Sequence, residues 1–144
     1  MRTIALLSHK GGAGKSTLAT HLAVTLGAPV LDLDPQGSSA KWAQRREAES
    51  PVVMSGVSVA AVKKAAEEDG DAFLILDTPP HSGPISRDAA HAADLVLIPA
   101  RPSVFDLDAI EETIELLDGT PAAIVVNAGP APRKGKEASI VAEA

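Results

Sequence analysis

Short runs of apolar residues recur along the chain, and each run ends at a glycine, a proline or a polar residue. The runs are apolar on both faces rather than alternating, which is typical of parallel strands buried between two layers of helices. The clearest runs cover residues 3–7, 29–33, 72–76, 95–100 and 122–126, and residues 52–54 form a shorter candidate for an edge strand. The pattern therefore predicts a parallel sheet.

Between these runs, apolar residues recur at helical spacing. One stripe is formed by Leu18, Leu22 and Leu26 and is widened by Ala19 and Ala23. A second stripe is formed by Leu107, Ile110, Ile114 and Leu117, with Ser103 or Asp106 as its cap and Gly119 as its end. A weaker stripe is formed by Val59, Val62 and Ala66. Strands and helices thus alternate, which predicts a three-layer α/β fold with a mostly parallel sheet flanked by helices.

Length and composition narrow the class of protein. The 144 residues are enough for one domain, so residues 1–144 are expected to form a single unit. The chain has no cysteine, which excludes disulfide scaffolds, thiolate zinc sites and iron–sulfur clusters and fits a cytoplasmic protein. Its net charge of −6 does not favour a general polyanion-binding surface. No apolar run approaches the ~18 residues of a membrane span, so no membrane contact is evident.

A glycine-rich segment, residues 8–17, joins the first apolar run to the first helical stripe, and we call it the glycine loop. Its glycines, Gly11, Gly12 and Gly14, allow backbone N–H groups to close around phosphate oxygens without interference from Cβ atoms. Lys15 can reach the terminal phosphates, and the Ser16 hydroxyl can bind Mg²⁺. A loop of this kind between a strand and a helix predicts a nucleotide site.

The residues Lys10-Gly11-Gly12-Ala13-Gly14-Lys15-Ser16-Thr17 resemble the deviant Walker A motif, KGGxGK[ST]T, of the ParA/MinD ATPases. The resemblance implies a P-loop NTPase fold, nucleotide contacts from residues 11–17, and ATP and Mg²⁺ as cofactors. It also implies a homodimer that forms on ATP binding. In that dimer Lys10 crosses the interface to the phosphates of the partner's nucleotide, and Lys10 and Lys15 act in catalysis.

Carboxylates follow the second and third apolar runs. Asp32 and Asp34 share one side of a strand end, where they either serve a phosphate site or begin an ordinary turn. The segment DLDPQG resembles that of ParA proteins, which implies that Asp34 positions the attacking water and that Asp32 supports it. Asp77 ends the third run in the Walker B manner, where its carboxylate can hold Mg²⁺ through a water together with Ser16.

The last apolar run ends at Asn127. Family members place an asparagine near the adenine at this point, which implies the same for Asn127, although asparagine is also an ordinary turn residue. Arg133 follows and is expected to flank the base or the dimer interface. The chain stops within a predicted helix that begins near Gly135, whereas such a domain normally continues with another strand and helix. We therefore expect the C-terminal part of the domain to be missing.

The resemblance implies a ParA-like ATPase that dimerises on ATP and hydrolyses it to drive plasmid or chromosome partition with a ParB-like or centromere-binding partner. It would act in the cytoplasm, with possible nucleoid association through DNA-binding regions outside this chain. One alternative is a MinD-like positioning ATPase. Another is an ATP-dependent ligase of the dethiobiotin-synthetase type, although those enzymes lack the lysine corresponding to Lys10. A non-catalytic nucleotide-binding module is the third.

Overall fold

The computed structural model describes residues 1–61, 72–81 and 83–129. The elements follow one another as β1 (Arg2–Leu6), α1 (Lys15–Leu26), β2 (Val30–Asp32), α2 (Ser38–Gln44), β3 (Val53–Ser55), β4 (Phe73–Asp77), α3 (Pro84–Ala92), β5 (Leu95–Ala100), α4 (Val104–Ile114) and β6 (Ala122–Val126). The strands coincide with the apolar runs to within about one residue, because continuous apolar runs mark positions buried on both faces.

All six strands form one parallel sheet in the order β3-β2-β4-β1-β5-β6. β1 lies in the middle, and its neighbours β4 and β5 both come much later in the chain. Because the strands are parallel, their carboxyl ends lie at one edge of the sheet, where open α/β sheets bind ligands. The predicted parallel sheet is confirmed, and the edge strand predicted over residues 52–54 lies at Val53–Ser55.

Two apolar clusters cover the two faces of the sheet. Ile4 and Leu6 of β1 pack in one cluster with Ala19 and Ala23 of α1. The intervening Ala5 belongs to the other cluster, to which α3 and α4 contribute. Successive residues of a strand point to opposite faces, so β1 contributes to both clusters. The predicted three-layer fold is confirmed.

The buried face of α1 differs from the predicted leucine stripe. The helix buries Lys15, Ala19, Thr20 and Ala23, whereas Leu26 is 40% exposed. Leu18 and Leu22 pack only at the margin of the cluster. Small alanine side chains allow the helix axis to approach the sheet closely, so the leucines flank the contact instead of forming it.

The second helical stripe is also corrected by the structure. α4 ends at Ile114, before Gly119, and Leu107 is 60% exposed. The buried positions of the helix are Asp106, Ile110 and Thr113. Two of these three are polar residues that contact the glycine loop, so polar contacts set the rotation of the helix.

The last strand, β6, is more exposed than its apolar sequence predicts. Ile124 is 53% exposed and Val126 is 46% exposed. β6 is an edge strand, and in the part of the chain that the structure describes only β5 pairs with it.

Predictions for Val62, Ala66 and Arg133 fall outside the described residues. Within the described ranges, no helix combines the length and the apolar character that crossing a membrane requires.

Candidate nucleotide site

The glycine loop encloses an open cavity at the carboxyl edge of the sheet. Gly12 and Gly14 have φ angles of 78° and 103°, which only glycine adopts without strain. Helix α1 begins immediately afterwards, at Lys15. The cavity has a volume of about 360 Å³ and is lined by Gly11, Gly12, Gly14, Lys15, Ser16, Thr17, Asp34, Ser38 and Pro80. This volume lies in the range of small-molecule sites. The lining residues that the sequence predicts for the site, among them Lys15 and Asp34, come from separate loops.

Lys15 is nearly buried at the base of this cavity. Its Nζ atom donates a hydrogen bond to the backbone oxygen of Ser8 at 3.2 Å. Burial lowers the pKa of the Lys15 ammonium, and the carboxylates of Asp77 and Asp34 oppose part of that effect. A partly desolvated ammonium at the wall of the cavity is well suited to bind an anionic group such as a phosphate.

The aspartates after β2 have different surroundings. The two oxygens of Asp32 accept hydrogen bonds from the backbone N–H groups of Asp34 at 3.1 Å and of Ala40 at 2.9 Å. Asp32 therefore holds the turn between β2 and α2. Asp34 accepts the Gln36 N–H at 2.9 Å through Oδ1 and also lines the cavity. Only Asp34 of this pair lines the cavity.

Asp77 ends β4 beside the same turn, and its carboxylate is completely buried. Its Oδ2 accepts a hydrogen bond from the Ser39 hydroxyl at 2.6 Å, whereas Oδ1 has no hydrogen-bond partner among the described residues. Burial raises the pKa of Asp77, and the hydroxyls of Ser39 and Ser16 partly offset that rise. An unpartnered carboxylate oxygen near a serine hydroxyl fits Mg²⁺, which prefers hard oxygen ligands and bound water.

Lys10 lies outside this cavity and contacts α4. Its Nζ atom is 3.0 Å from Oδ2 of Asp106 and 5.9 Å from the centroid of the Phe105 ring. The Ser103 hydroxyl also donates to Asp106. These contacts, led by the Ser103 hydrogen bond, hold the pKa of Asp106 below its ordinary value. The two lysines of the glycine loop therefore have different partners in the single chain.

The ends of β5 and β6 also contact the glycine loop. Asn127 donates through Nδ2 to the backbone oxygen of Ala13 at 2.9 Å. A Cβ atom on Gly14 would lie 2.1 Å from that nitrogen, so a larger residue at position 14 would require the Asn127 side chain to move. Arg101 donates through Nη2 to the backbone oxygen of Gly12. The contact of Asn127 with adenine stays a prediction, as does any role of Arg133.

His9 connects the start of the glycine loop to two other elements. Its backbone N–H donates to the Thr113 hydroxyl at 3.2 Å, and its Nε2 atom is 2.9 Å from a carboxylate oxygen of Glu112. The His81 N–H donates to the His9 backbone oxygen at 3.2 Å. His9 therefore braces the loop against α4 and against the segment that follows β4.

Three polar residues of the site were not among those predicted for it from the sequence, namely Ser39, Arg101 and Asp106. Arg101 and Asp106 follow the carboxyl end of β5, and that position in a parallel sheet is the signal that would have found them. Asp106 was considered only as a helix cap. Ser39 carries no comparable signal, because its partner Asp77 is 38 positions away.

The sequence matches the CobQ/CobB/MinD/ParA nucleotide binding domain over residues 4–142. This match covers nearly the whole chain, so the chain belongs to that family of nucleotide-binding domains. The resemblance to the ParA/MinD ATPases is thereby confirmed, and with it the nucleotide-binding class of the domain.

Individual relatives fall within the same group. The chain is 36% identical to protein ParA of Rhizobium radiobacter over 126 residues, which are 81% of this chain and 56% of the relative. It is 34% identical to the maintenance of carboxysome distribution protein A of Gloeobacter kilaueensis over 119 residues, which are 78% of this chain and 55% of the relative. The chain thus spans about half the length of these curated relatives.

Solved structures share the fold. A plasmid partition protein from Borrelia burgdorferi matches with a TM-score of 0.70 and 16% identity, covering 99% of this chain and 86% of that one. An ATP complex of a McdA variant from Cyanothece matches with a TM-score of 0.68 and 19% identity, covering 99% and 77%. Cobyrinic acid a,c-diamide synthase from Mycobacterium smegmatis, with ADP and magnesium, matches with a TM-score of 0.61 and 19% identity, covering 85% and 71%. The expectation of ATP and Mg²⁺ agrees with the ATP in the McdA variant and with the ADP and magnesium in the synthase.

Proposed function

We propose that this chain carries the ATPase site of a ParA-type protein that binds ATP with Mg²⁺, dimerises and hydrolyses the nucleotide. The observation that carries the proposal is the convergence of Lys15, Ser16 and Asp34 on one cavity, with Asp77 buried beside them. These residues come from the loops after β1, β2 and β4. They supply the cation, the hydroxyl and the carboxylates that phosphoryl transfer to water requires.

Each of these residues has a proposed role. Lys15 and the backbone N–H groups of residues 11–16 bind the phosphates. Asp34, at the cavity wall, orients the water that attacks the γ-phosphate. Ser16 and Asp77 hold Mg²⁺, which when bound neutralises charge on the phosphate oxygens. Lys10 of the partner subunit adds a second cation in the dimer and stabilises the charge of the transition state.

We further propose that the ATPase cycle drives partition of plasmid or chromosome DNA with a ParB-like or centromere-binding partner protein. The 36% identity to a protein named ParA supports this role. Such a role places the protein in the cytoplasm, with nucleoid association through DNA-binding regions outside this chain.

A second candidate cargo is the carboxysome, because two relatives are carboxysome distribution proteins at 34% and 29% identity. The nucleotide site is the same for either cargo. The partner protein that stimulates ATP hydrolysis therefore distinguishes the two roles. Stimulation of ATP hydrolysis by a DNA-bound ParB-like partner supports partition, whereas stimulation only by a carboxysome-associated partner supports the second role.

The ATPase proposal is tested by calorimetric titration with MgATP and by an assay of phosphate release. Lys15→Ala removes the buried ammonium from the cavity, and the loss of a charge-assisted contact is expected to weaken ATP binding about tenfold to a hundredfold. Lys41→Ala is the matched control, because Lys41 is an exposed lysine of α2 whose Nζ atom donates to the Gln36 backbone oxygen at 2.7 Å. Equal ATP affinity in Lys15→Ala and wild type would contradict the assignment.

A further inference from the structure

We propose that Ser39 is a positioning residue of the magnesium site, holding the buried carboxylate of Asp77 so that one of its oxygens is kept for the hydrated cation. The inference rests on the proposed function, because it concerns the metal that accompanies the nucleotide. It concerns a residue outside the glycine loop, on the first turn of α2.

The contact between Ser39 and Asp77 is short, and both side chains are buried. The Ser39 Oγ atom donates to Oδ2 of Asp77 at 2.6 Å, and both side chains have no solvent exposure. A hydrogen bond from a neutral donor to a buried carboxylate is among the stronger polar contacts in proteins. Ser39 therefore fixes the rotation of the Asp77 carboxylate.

The two oxygens of Asp77 are consequently unequal. Oδ2 is occupied by Ser39, and Oδ1 is buried without a hydrogen-bond partner among the described residues. A buried polar atom without a partner is costly and usually points to a missing ligand or water. With Oδ2 engaged, Oδ1 is the oxygen that remains available to a cation or to a water that the cation binds.

The hydroxyl also joins the metal site to the segment that carries Asp34. The turn that carries Asp34 leads directly into α2, and α2 holds Ser39. Asp32 pairs in register with Asp77 and accepts the N–H of Ala40, the residue after Ser39. Metal binding at Asp77 is thereby transmitted through Ser39 to the segment that positions the attacking water.

The test uses Trp42, the single tryptophan of the chain, which lies on α2 three residues after Ser39. ADP is bound to the protein, Mg²⁺ is titrated in, and Trp42 fluorescence is followed; ADP affinity is measured separately in EDTA. Ser39→Ala is expected to weaken the apparent Mg²⁺ affinity about tenfold to a hundredfold, as for other residues that orient metal ligands. ADP affinity in EDTA is expected to stay within about twofold of wild type, because the Ser39 hydroxyl donates to Asp77 and not to the glycine loop.

Two further variants separate positioning from general damage. Ser39→Ala in an Asp77→Asn background should cost no further Mg²⁺ affinity, because the carboxylate it orients is already gone. Ser55→Ala removes the hydroxyl of an exposed serine at the end of β3, outside the site, and should leave both affinities unchanged. Circular dichroism and thermal melting confirm that each variant is folded.

The inference is overturned if Ser39→Ala keeps the wild-type Mg²⁺ affinity, or if it weakens ADP binding equally in EDTA and in Mg²⁺. An additional loss in the Asp77→Asn background overturns it as well, since Ser39 would then act on something other than that carboxylate. If wild-type protein binds no ADP with or without Mg²⁺, the proposed function fails and the inference fails with it. Wild-type binding with an unaffected Ser39→Ala variant removes the inference alone.

Discussion

Lys10 and Asp106 form an ion pair within one chain, with Nζ 3.0 Å from Oδ2. The Asp106 side chain is only 3% exposed, whereas that of Lys10 is 39% exposed. Asp106 is thus fixed in the structure, and Lys10 is the more solvent-accessible member of the pair. In the proposed dimer, Lys10 would have to leave Asp106 before it reached a partner's nucleotide, so we expect this contact to oppose dimerisation.

Replacing Asp106 should therefore favour the dimer. Asp106→Asn keeps the size of the side chain but removes the charge that holds Lys10 within its own chain. We expect ATP-dependent dimerisation to occur at several-fold lower protein concentration, measured by sedimentation equilibrium with ATP in a hydrolysis-slow background. Asp108→Asn is the matched control, because Asp108 lies on the exposed side of α4. A dimer that needs higher concentrations in Asp106→Asn would mean that Asp106 supports the interface instead.

The local sequence pattern was sufficient to predict the strands and the glycine loop. Residues 95–100 and 122–126 are strands with the predicted bounds, because continuous apolar runs with polar ends leave little choice. The glycine loop was predictable because glycines followed by a lysine at the start of a helix are typical of a phosphate-binding loop. Lys15, Ser16 and Asp34 accordingly lie at one cavity.

Contacts between distant residues were not predictable in this way. The pair Lys10–Asp106 is separated by 96 positions and the pair Ser39–Asp77 by 38. No periodicity in a single sequence links such positions. The same limit explains the rotation of α4, because the contact of Thr113 with the backbone of His9 cannot be read from a hydrophobic stripe.

The pH dependence of nucleotide binding should report the buried ammonium of Lys15. Burial lowers the pKa of Lys15, so its charge is lost at a lower pH than the charge of an exposed lysine. The charged form binds phosphate, and ATP affinity should therefore fall as pH rises, beginning below the range near pH ~10.4 in which exposed lysines titrate. Calorimetry across this range measures the effect.

The control for this prediction is Lys15→Arg, because a guanidinium keeps its charge throughout the range. The variant should bind ATP more weakly at neutral pH but without the alkaline fall. The chain contains no tyrosine and no cysteine, so neither phenols nor thiols titrate in the same range. An equally steep fall in Lys15→Arg would assign the effect to another group.

Asp34 should be required for hydrolysis and dispensable for binding. Asp34→Ala removes a carboxylate from the cavity wall, and the loss of a group that positions water should raise the barrier by about 2–4 kcal/mol, which slows turnover about 30-fold to 1000-fold. Single-turnover phosphate release and equilibrium ATP binding give the two quantities.

Asp34→Asn distinguishes catalysis from folding of the turn. Its side-chain oxygen can still accept the Gln36 N–H, which Oδ1 of Asp34 accepts at 2.9 Å, while the charge is lost. We expect the Asp34→Asn variant to hydrolyse ATP as slowly as the Asp34→Ala variant. Full activity in Asp34→Asn would show that the turn, not the carboxylate, is what hydrolysis needs.

Duplex DNA binding by this chain should be weak. The net charge is −6, and the concentrated basic residues of the sequence are Arg133, Lys134 and Lys136. Three phosphate contacts give a slope of about −3 in a plot of log affinity against log salt concentration. Fluorescence anisotropy between low and physiological salt measures the slope. Tight binding with a much steeper slope would indicate a basic surface that forms only in the dimer.

The central claim is that ATP binding forms a dimer in which Lys10 of each subunit reaches the nucleotide of the other. It is tested most directly by the mass of the nucleotide-bound species in wild type and in Lys10→Ala. Two nucleotides that face each other bring several negative charges together in a poorly solvated interface, and a lysine from each subunit offsets that repulsion. Light scattering is measured with ATP, with ADP and without nucleotide, in an Asp34→Ala background that slows hydrolysis. We predict a dimer with ATP only, its loss in Lys10→Ala with ATP binding retained, and no change in the control Lys41→Ala. An ATP-bound protein that stays monomeric at high concentration, or a Lys10→Ala variant that dimerises normally, would contradict the account.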